Sequence, residues 1–367
     1  MTLTGAFEGR TVLVTGHTGF KGSWLTRWLV RSGARVVGLA LEPYTDRDNF
    51  VVCGMTADLA DHAIIDVRDA AAVAAFTAKN RPDVVFHLAA QPLVRLSYEQ
   101  PADTFSTNVV GCCNVLDAVR ACDSVAATLV ITSDKCYRNN EWVWGYRETD
   151  TLGGHDPYSA SKAAEEIVVS SYRDSFFTPR GRHLASVRAG NVIGGGDWAA
   201  DRIVPDAVRA LSSGSEIGVR NPGSTRPWQH VLEPLGGYLL LAASMLETPG
   251  RFDEAFNFGP ADDATITVGE LSDLIVSAWG SGAWAHTGEQ SAVHEAGWLA
   301  LDCSKAHRSL GWEPQLTVEE AVEWTIEWYR TQDAGGDCSA LVDRQIDTYA
   351  RRAGQSWLDP HMAGGSR

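Results

Sequence analysis

Thr11-Val-Leu-Val14 reads as a short strand of the kind buried on both faces. A glycine loop follows at once, Thr15-Gly16-His17-Thr18-Gly19-Phe20-Lys21-Gly22, and then Ser23 to Val30 carries helical periodicity. Strand, glycine loop and helix in that order constrain the fold more than any other feature of the chain, because this is the context a dinucleotide fingerprint requires. Gly16 suits the tight turn, Gly19 lets backbone approach a pyrophosphate, and Gly22 lets the helix pack on the strand. A pyrophosphate would then rest on the helix N-terminus, where free N–H groups and the dipole meet it. The spacing is G-x-x-G-x-x-G rather than G-x-G-x-x-G, and a plain glycine turn is the competing reading. Lys21 reads either as a contact to cofactor phosphate or as a solvent-facing side chain.

The pattern repeats along the chain. Strands are expected at Arg35–Leu41, Ala63–Val67, Pro82–Gln91, Thr128–Thr132 and from Leu184. Helical segments separate them, including about Asp103 to Ala121 and a long one from Tyr158. Alternation of this length predicts an α/β fold: a Rossmann-type doubly wound parallel sheet with a smaller C-terminal substrate-binding lobe. Residues 1–190 and about 231–260 are assigned to the sheet domain. About 191–230 and 261–335 form the lobe, and 336–367 a C-terminal helix with a frayed tail. The Trp-, Gly- and charge-rich segment 138–156 is expected to be an active-site loop, with Trp142, Trp144, Trp198 and Trp228 as cleft walls or core.

A net charge of −15 argues against nucleic acid as a partner, since phosphate chains need a basic footprint. No apolar run reaches the roughly 18–20 residues of a membrane span, and the first residues lack a signal-peptide pattern. The seven cysteines follow no C-x-x-C spacing. They are expected as reduced thiols in a cytoplasmic protein, with no metal site.

Tyr158 and Lys162 stand four apart, one above the other on a helix. A cation beside a phenol favours the phenolate, so Tyr158 is a candidate base for an alcohol proton, although Y-x-x-x-K alone also describes two surface residues. Position 40, where an acid is expected for the ribose of NAD, is Ala, and the nearest acid is Glu42. Asp66 is a candidate for the adenine edge or for a helix N-terminus. The small residues Ala89 and Ala90 suit backbone passing a flat ligand.

Thr15-Gly-x-x-Gly-x-x-Gly22, Asp66, His87-Leu-Ala-Ala90, Asn108, Ser133 and Tyr158-x-x-x-Lys162, taken in order, resemble the extended short-chain dehydrogenase/reductase family. Four segments narrow the resemblance to its sugar-nucleotide 4,6-dehydratases: 17–25, Thr132-Ser-Asp-Lys-Cys-Tyr137, 188–198 and 226–234. The resemblance implies NAD as cofactor, held by the glycine loop with Asp66, Val67, Leu88, Ala89, Ala90, Asn108, Tyr158 and Lys162. It also implies a sugar-nucleotide substrate, CDP-glucose before others, bound by Gln91, Ser133, Asn191, Arg220, Arg226 and His294. Tyr158, Lys162 and Ser133 would oxidise the hexose at C4, with Asp134 as the acid and Lys135 as the base of a dehydration. A 4-epimerase would need the Tyr–Lys pair but neither of those two, and a non-catalytic NAD-binding regulator would need none. The resemblance further implies a homodimer or dimer-based oligomer, pairing through helices near 103–121 and 158–175, whose apolar residues include Val109, Val115, Val119, Ile167 and Val168.

Overall fold

The computed structural model describes residues 3–261, 265–288 and 298–357. Its centre is a parallel sheet of seven strands. Six are β1 (Thr11–Thr15), β2 (Arg35–Ala40), β3 (Asp61–Ile64), β4 (Val84–His87), β5 (Ala127–Ile131) and β6 (His183–Arg188). The edge strand Ala255–Asn257 lies beyond β6, giving the order edge–β6–β5–β4–β1–β2–β3. The winding reverses at β1, which pairs with β2 on one side and β4 on the other. In an open parallel sheet a ligand crevice lies at such a switch point, beyond the carboxyl ends of the strands.

The inner strands β1, β4 and β5 are almost wholly buried because both sheet faces are covered there, whereas the edge strand β3 has no buried residue. Val12 and Val14 point into one layer and Leu13 into the other, following the two-residue side-chain period. The first layer is packed by helices Phe20–Arg31 and Leu232–Glu247, joined by the C-terminal helices Val318–Asp333 and Cys338–Trp357. The second is packed by helices Ala70–Asn80, Gly111–Ala121 and Pro157–Tyr172. The last helix is tied to the first by Arg27, whose guanidinium donates to Asp343 at 2.7 Å, and by Tyr349 standing edge-on to Trp28.

Beyond β6 the chain builds three two-stranded pieces. They pair Val192–Ile193 with Gln229–His230, Thr225–Pro227 with Thr265–Thr267, and Ile217–Val219 with Trp284–His286. The loop 194–196 anchors them to the large sheet. Trp24 Nε1 donates to Gly195 O at 2.9 Å, and a Cβ at Gly195 would lie 2.0 Å from the Trp328 ring.

Two expectations are corrected. The helix expected over 103–121 is divided into Pro101–Phe105, a π-turn Ser106–Val110, and Gly111–Ala121. The wider turn carries Asn108, consistent with such turns marking functional sites. The segment 138–156 does not line the cleft. Tyr137, Trp142 and Tyr146 stack on one another there and pack with Leu299 in a separate cluster, while Trp144 is exposed.

Candidate active site

A cleft of about 920 Å³ runs across the carboxyl ends of the strands. Its first wall is the glycine loop. Gly16 has φ +74°, and a Cβ there would come 2.9 Å from Ala89 N, while one at Gly22 would come 2.0 Å from Gly16 O. No side chain caps the helix that begins at Phe20, so its first N–H groups are left for a ligand. Gly16, Thr18, Gly19, Phe20, Lys21 and Gly22 all line the cleft, followed by Asp66, Val67, Leu88, Ala89 and Ala90. Backbone free of side chains, a bare helix N-terminus and a flat apolar wall fit a dinucleotide.

Four residues expected at the cofactor or substrate stand behind this wall rather than in it. His17 is buried between Phe50, His62 and Gly38, because the tight turn at Gly16 sends its ring under β2. Burial lowers its pKa to about 4. Thr15 Oγ1 lies 2.7 Å from His87 Nδ1 and accepts from the N–H groups of Leu88 and Ala89 at 3.1 and 3.2 Å. Asn108 Oδ1 accepts from Gln91 N at 2.8 Å, and its Nδ2 donates to Ser161 Oγ at 2.8 Å, joining the loop after β4 to the Pro157–Tyr172 helix. The Gln91 side chain turns to Leu93 O and Thr104 Oγ1. These four hold the loops that face the ligand.

At the middle of the cleft, β5 ends in Ile131 and a short turn presents Ser133, Asp134 and Lys135 opposite Tyr158 and Lys162. Ser133 caps the turn by accepting from Lys135 N at 3.2 Å, and its hydroxyl donates to Asp134 Oδ1 at 2.9 Å. Gly190 makes room for the acid: a Cβ there would sit 1.9 Å from Asp134 Oδ2. Burial raises the Tyr158 pKa, with Lys162 and the hydrogen bond to Ser133 pulling it back. Lys162 alone therefore does not make the phenolate. Burial also opposes the charge of Lys162, but Glu165 and Tyr158 outweigh it and its pKa is raised. Lys21, in the glycine loop, is within electrostatic reach of Asp134, Lys162, Asp197 and Arg202, and burial with Arg202 lowers its pKa to about 8.

The far wall comes from the smaller sheets. Asn191, Arg220 and Arg226 all line it, and Asn191 holds φ +52° while its carbonyl accepts from Gln229 N. His294 lies outside the described residues. Trp198 and Trp228 line the cleft, whereas Trp142 and Trp144 do not. Asp66 is engaged by Arg68 at 2.6 Å, which lowers its pKa, and the cap of the following helix is Asp69.

Sequence reasoning missed several cleft residues. Arg202 pairs with Asp197 at 2.9 Å, and Arg95 with Asp201 at 3.1 Å. Asp48, which accepts from Tyr44 N and Thr45 N, joins Glu42 at the end expected to hold the adenosine ribose. Their only sequence signal was position beside a glycine loop or a strand end.

A family model described as GDP-mannose 4,6 dehydratase matches residues 13–325. The chain is 48% identical over 349 residues to the CDP-glucose 4,6-dehydratase of Salmonella typhimurium, covering 94% of this chain and 97% of that protein. It is 26% identical to dTDP-glucose 4,6-dehydratase 1 of Escherichia coli, over 96% and 99% of the two chains. The dTDP-glucose 4,6-dehydratase DesIV of Streptomyces venezuelae, solved with NAD and TYD bound, superposes with a TM-score of 0.74 at 23% identity, covering 89% of this chain and 99% of that one.

Proposed function

We infer that this chain, which belongs to the GDP-mannose 4,6-dehydratase family, is an NAD-dependent CDP-glucose 4,6-dehydratase that forms CDP-4-keto-6-deoxyglucose and water. The observation that carries the reading is Ser133, Asp134, Lys135, Tyr158 and Lys162 gathered on one cleft between a dinucleotide wall and an arginine-bearing wall. The near-half identity to a CDP-glucose 4,6-dehydratase over almost the whole chain selects the nucleotide.

Bound NAD supplies the acceptor for hydride from hexose C4 and later the donor to C6. Tyr158 takes the C4 hydroxyl proton, with Lys162 stabilising the phenolate and Ser133 donating to it once its hydroxyl turns from Asp134. The resulting 4-ketone acidifies C5–H, and Lys135 removes that proton while Asp134 protonates the C6 hydroxyl, which leaves as water. Lys135 then returns a proton to C5, which completes the 4-keto-6-deoxy sugar. Arg220 and Arg226 hold the diphosphate, for which the guanidinium fork offers paired hydrogen bonds.

An epimerase would use Tyr158 and Lys162 alone. The buried Asp134, seated against a glycine that leaves it space, favours dehydration. Incubating the protein with NAD and CDP-, dTDP-, UDP- or GDP-glucose, followed by mass spectrometry, tests the reading. Loss of one water from CDP-glucose is expected; water loss from a different nucleotide alone overturns the substrate, and a stereochemical change without water loss overturns the reaction.

Assembly is proposed as a homodimer through the helices at 101–121 and 157–172. Val110 and Ile167 are 50% and 60% exposed there, whereas Val115 and Val119, expected at the interface, are buried in the chain's own core. A monomer in sedimentation equilibrium would overturn this pairing. A cytoplasmic location fits the cysteine content, five of the seven thiols being buried in the structure. Among the described residues no helix is long and apolar enough to cross a membrane.

A further inference from the structure

Glu165 and Glu166 are neighbours on the Pro157–Tyr172 helix, and both are buried, at 1% and 3% exposure. Glu166 is held by Arg188 Nη2 at 2.7 Å, Ser186 Oγ at 2.8 Å and Thr132 Oγ1 at 2.5 Å. These partners outweigh burial and lower its pKa. They also make Glu166 part of the scaffold under β5 and β6. Glu165 has a different partner, the ammonium of Lys162 at 2.7 Å; burial outweighs that pairing and raises the Glu165 pKa to about 7, so its charge is complete above pH 7.

An ammonium has three N–H donors. In Lys162 one goes to Glu165 Oε2 and one to Ile131 O at 3.2 Å. The third remains for the cleft side, where Tyr158 stands and where Lys162 itself forms part of the lining. A buried ammonium without a counter-charge sheds its proton, since desolvation disfavours the charged form. The other ionisable groups around this pair do not provide the counter-charge. His87 on β4 and Cys112 on the Gly111–Ala121 helix come within 4.8 Å of the Glu165 carboxylate. Thr15 Oγ1, already accepting two N–H bonds, donates to His87 Nδ1, so the neutral ring carries its proton on Nε2. Burial holds His87 neutral, with a pKa near 3, and pushes the Cys112 thiol well up. Glu166 is taken by Arg188, and Lys21 adds a like charge. Tyr158 is the group to be ionised. Glu165 is the one carboxylate among the described residues bonded to Lys162.

We propose that Glu165 is the buried counter-ion that keeps Lys162 charged and aims its free N–H at Tyr158, and so acts as a positioning residue for the C4 proton transfer. The inference rests on the dehydratase reading for its kinetic test, but the ion pair is tested separately. Glu165→Gln keeps the shape and one acceptor and removes the charge. In that variant burial lowers the Lys162 pKa, so the pair loses its cation as pH rises. The wild-type to variant ratio of kcat is expected to grow about tenfold or more between pH 7 and pH 9, one pKa unit being a factor of ten, with KM for CDP-glucose unchanged. A ratio constant across that range, the result a purely structural role would give, overturns the proposal.

Thermal unfolding gives the second readout, independent of turnover and usable if Glu165→Gln alone folds poorly. Lys162→Met strands Glu165 as a buried unpaired carboxyl, so adding Glu165→Gln to Lys162→Met should raise the midpoint above that of Lys162→Met. A lower midpoint in the double variant overturns the pairing. Wild-type protein inert toward every sugar nucleotide would refute the dehydratase reading while leaving this stability comparison intact.

Discussion

The two walls of the cleft are built by opposite means. The dinucleotide wall is built mainly on one contiguous stretch, Thr11 to Arg31, in which a buried strand, a glycine loop and an uncapped helix present backbone to the ligand, joined by the strand ends at Asp66–Val67 and Leu88–Ala90. The opposite wall is gathered from segments near 190, 220, 268 and 287, on strands of two or three residues, and presents side chains such as Asn191, Arg220 and Arg226. Backbone recognition leaves no room for change, whereas side-chain recognition can be retuned one residue at a time. Damage to the first wall should therefore cost the fold, and damage to the second should cost affinity.

Gly22→Ala is the strongest test of that contrast. Its Cβ would overlap the Gly16 carbonyl, backbone against backbone, and a loss of more than about 4 kcal/mol is expected by denaturant unfolding. A variant within about 1 kcal/mol of wild type, near the size of ordinary surface changes, would break the comparison. At the seam between the walls, Tyr158→Phe should leave the fold and CDP-glucose binding in place. It should lower kcat about 10²- to 10⁴-fold, the usual share of a positioned base; steady-state kinetics beside calorimetric binding would check both halves.

On the far wall, Arg226→Ala should raise KM for CDP-glucose about 10- to 100-fold with little change in unfolding midpoint, the value of a charge-assisted hydrogen bond to phosphate. An equal loss of stability would mean that this wall, too, is scaffold.

One further effect reaches both walls. His87 and His17 beneath the first, and His230 beside the second, are buried neutral, with pKa values lowered to about 3, 4 and 3, burial being the main cause. The unfolded chain takes up these protons below about pH 6.5 and the folded chain does not. Stability is thus complete above pH 6.5 and falls as pH drops toward 4, by up to about 1.4 kcal/mol per histidine per pH unit. A melting midpoint unchanged from pH 7 to pH 5 would show that these rings are not held neutral.

The same contrast explains what the sequence made legible. Strand, glycine loop and helix are neighbours in the chain, as are Tyr158 and Lys162 or Ser133 and Asp134, so local spacing was enough to place them in the cleft. Thr15, Asn108 and Gln91 belong to the right motif but act one layer back, a distinction that depends on which hydrogen bonds their side chains complete. His17 could not be placed from spacing because the turn at Gly16 decides which way it points. Glu165 and Glu166 were invisible for a further reason. Two adjacent carboxylates on a helix read as a solvated face until Lys162 and Arg188, one on the same helix and one on β6, are seen to bury them.

In the proposed internal redox cycle, the hydride taken from C4 returns to C6 of the same sugar. CDP-glucose deuterated at C4, supplied with NAD, tests it most directly by NMR of the product. The expected product is a 4-keto-6-deoxy sugar with deuterium in the C6 methyl group and a solvent-derived proton at C5, with no NADH accumulating. Deuterium retained at C4, or appearing in free NADH in proportion to product, would contradict it.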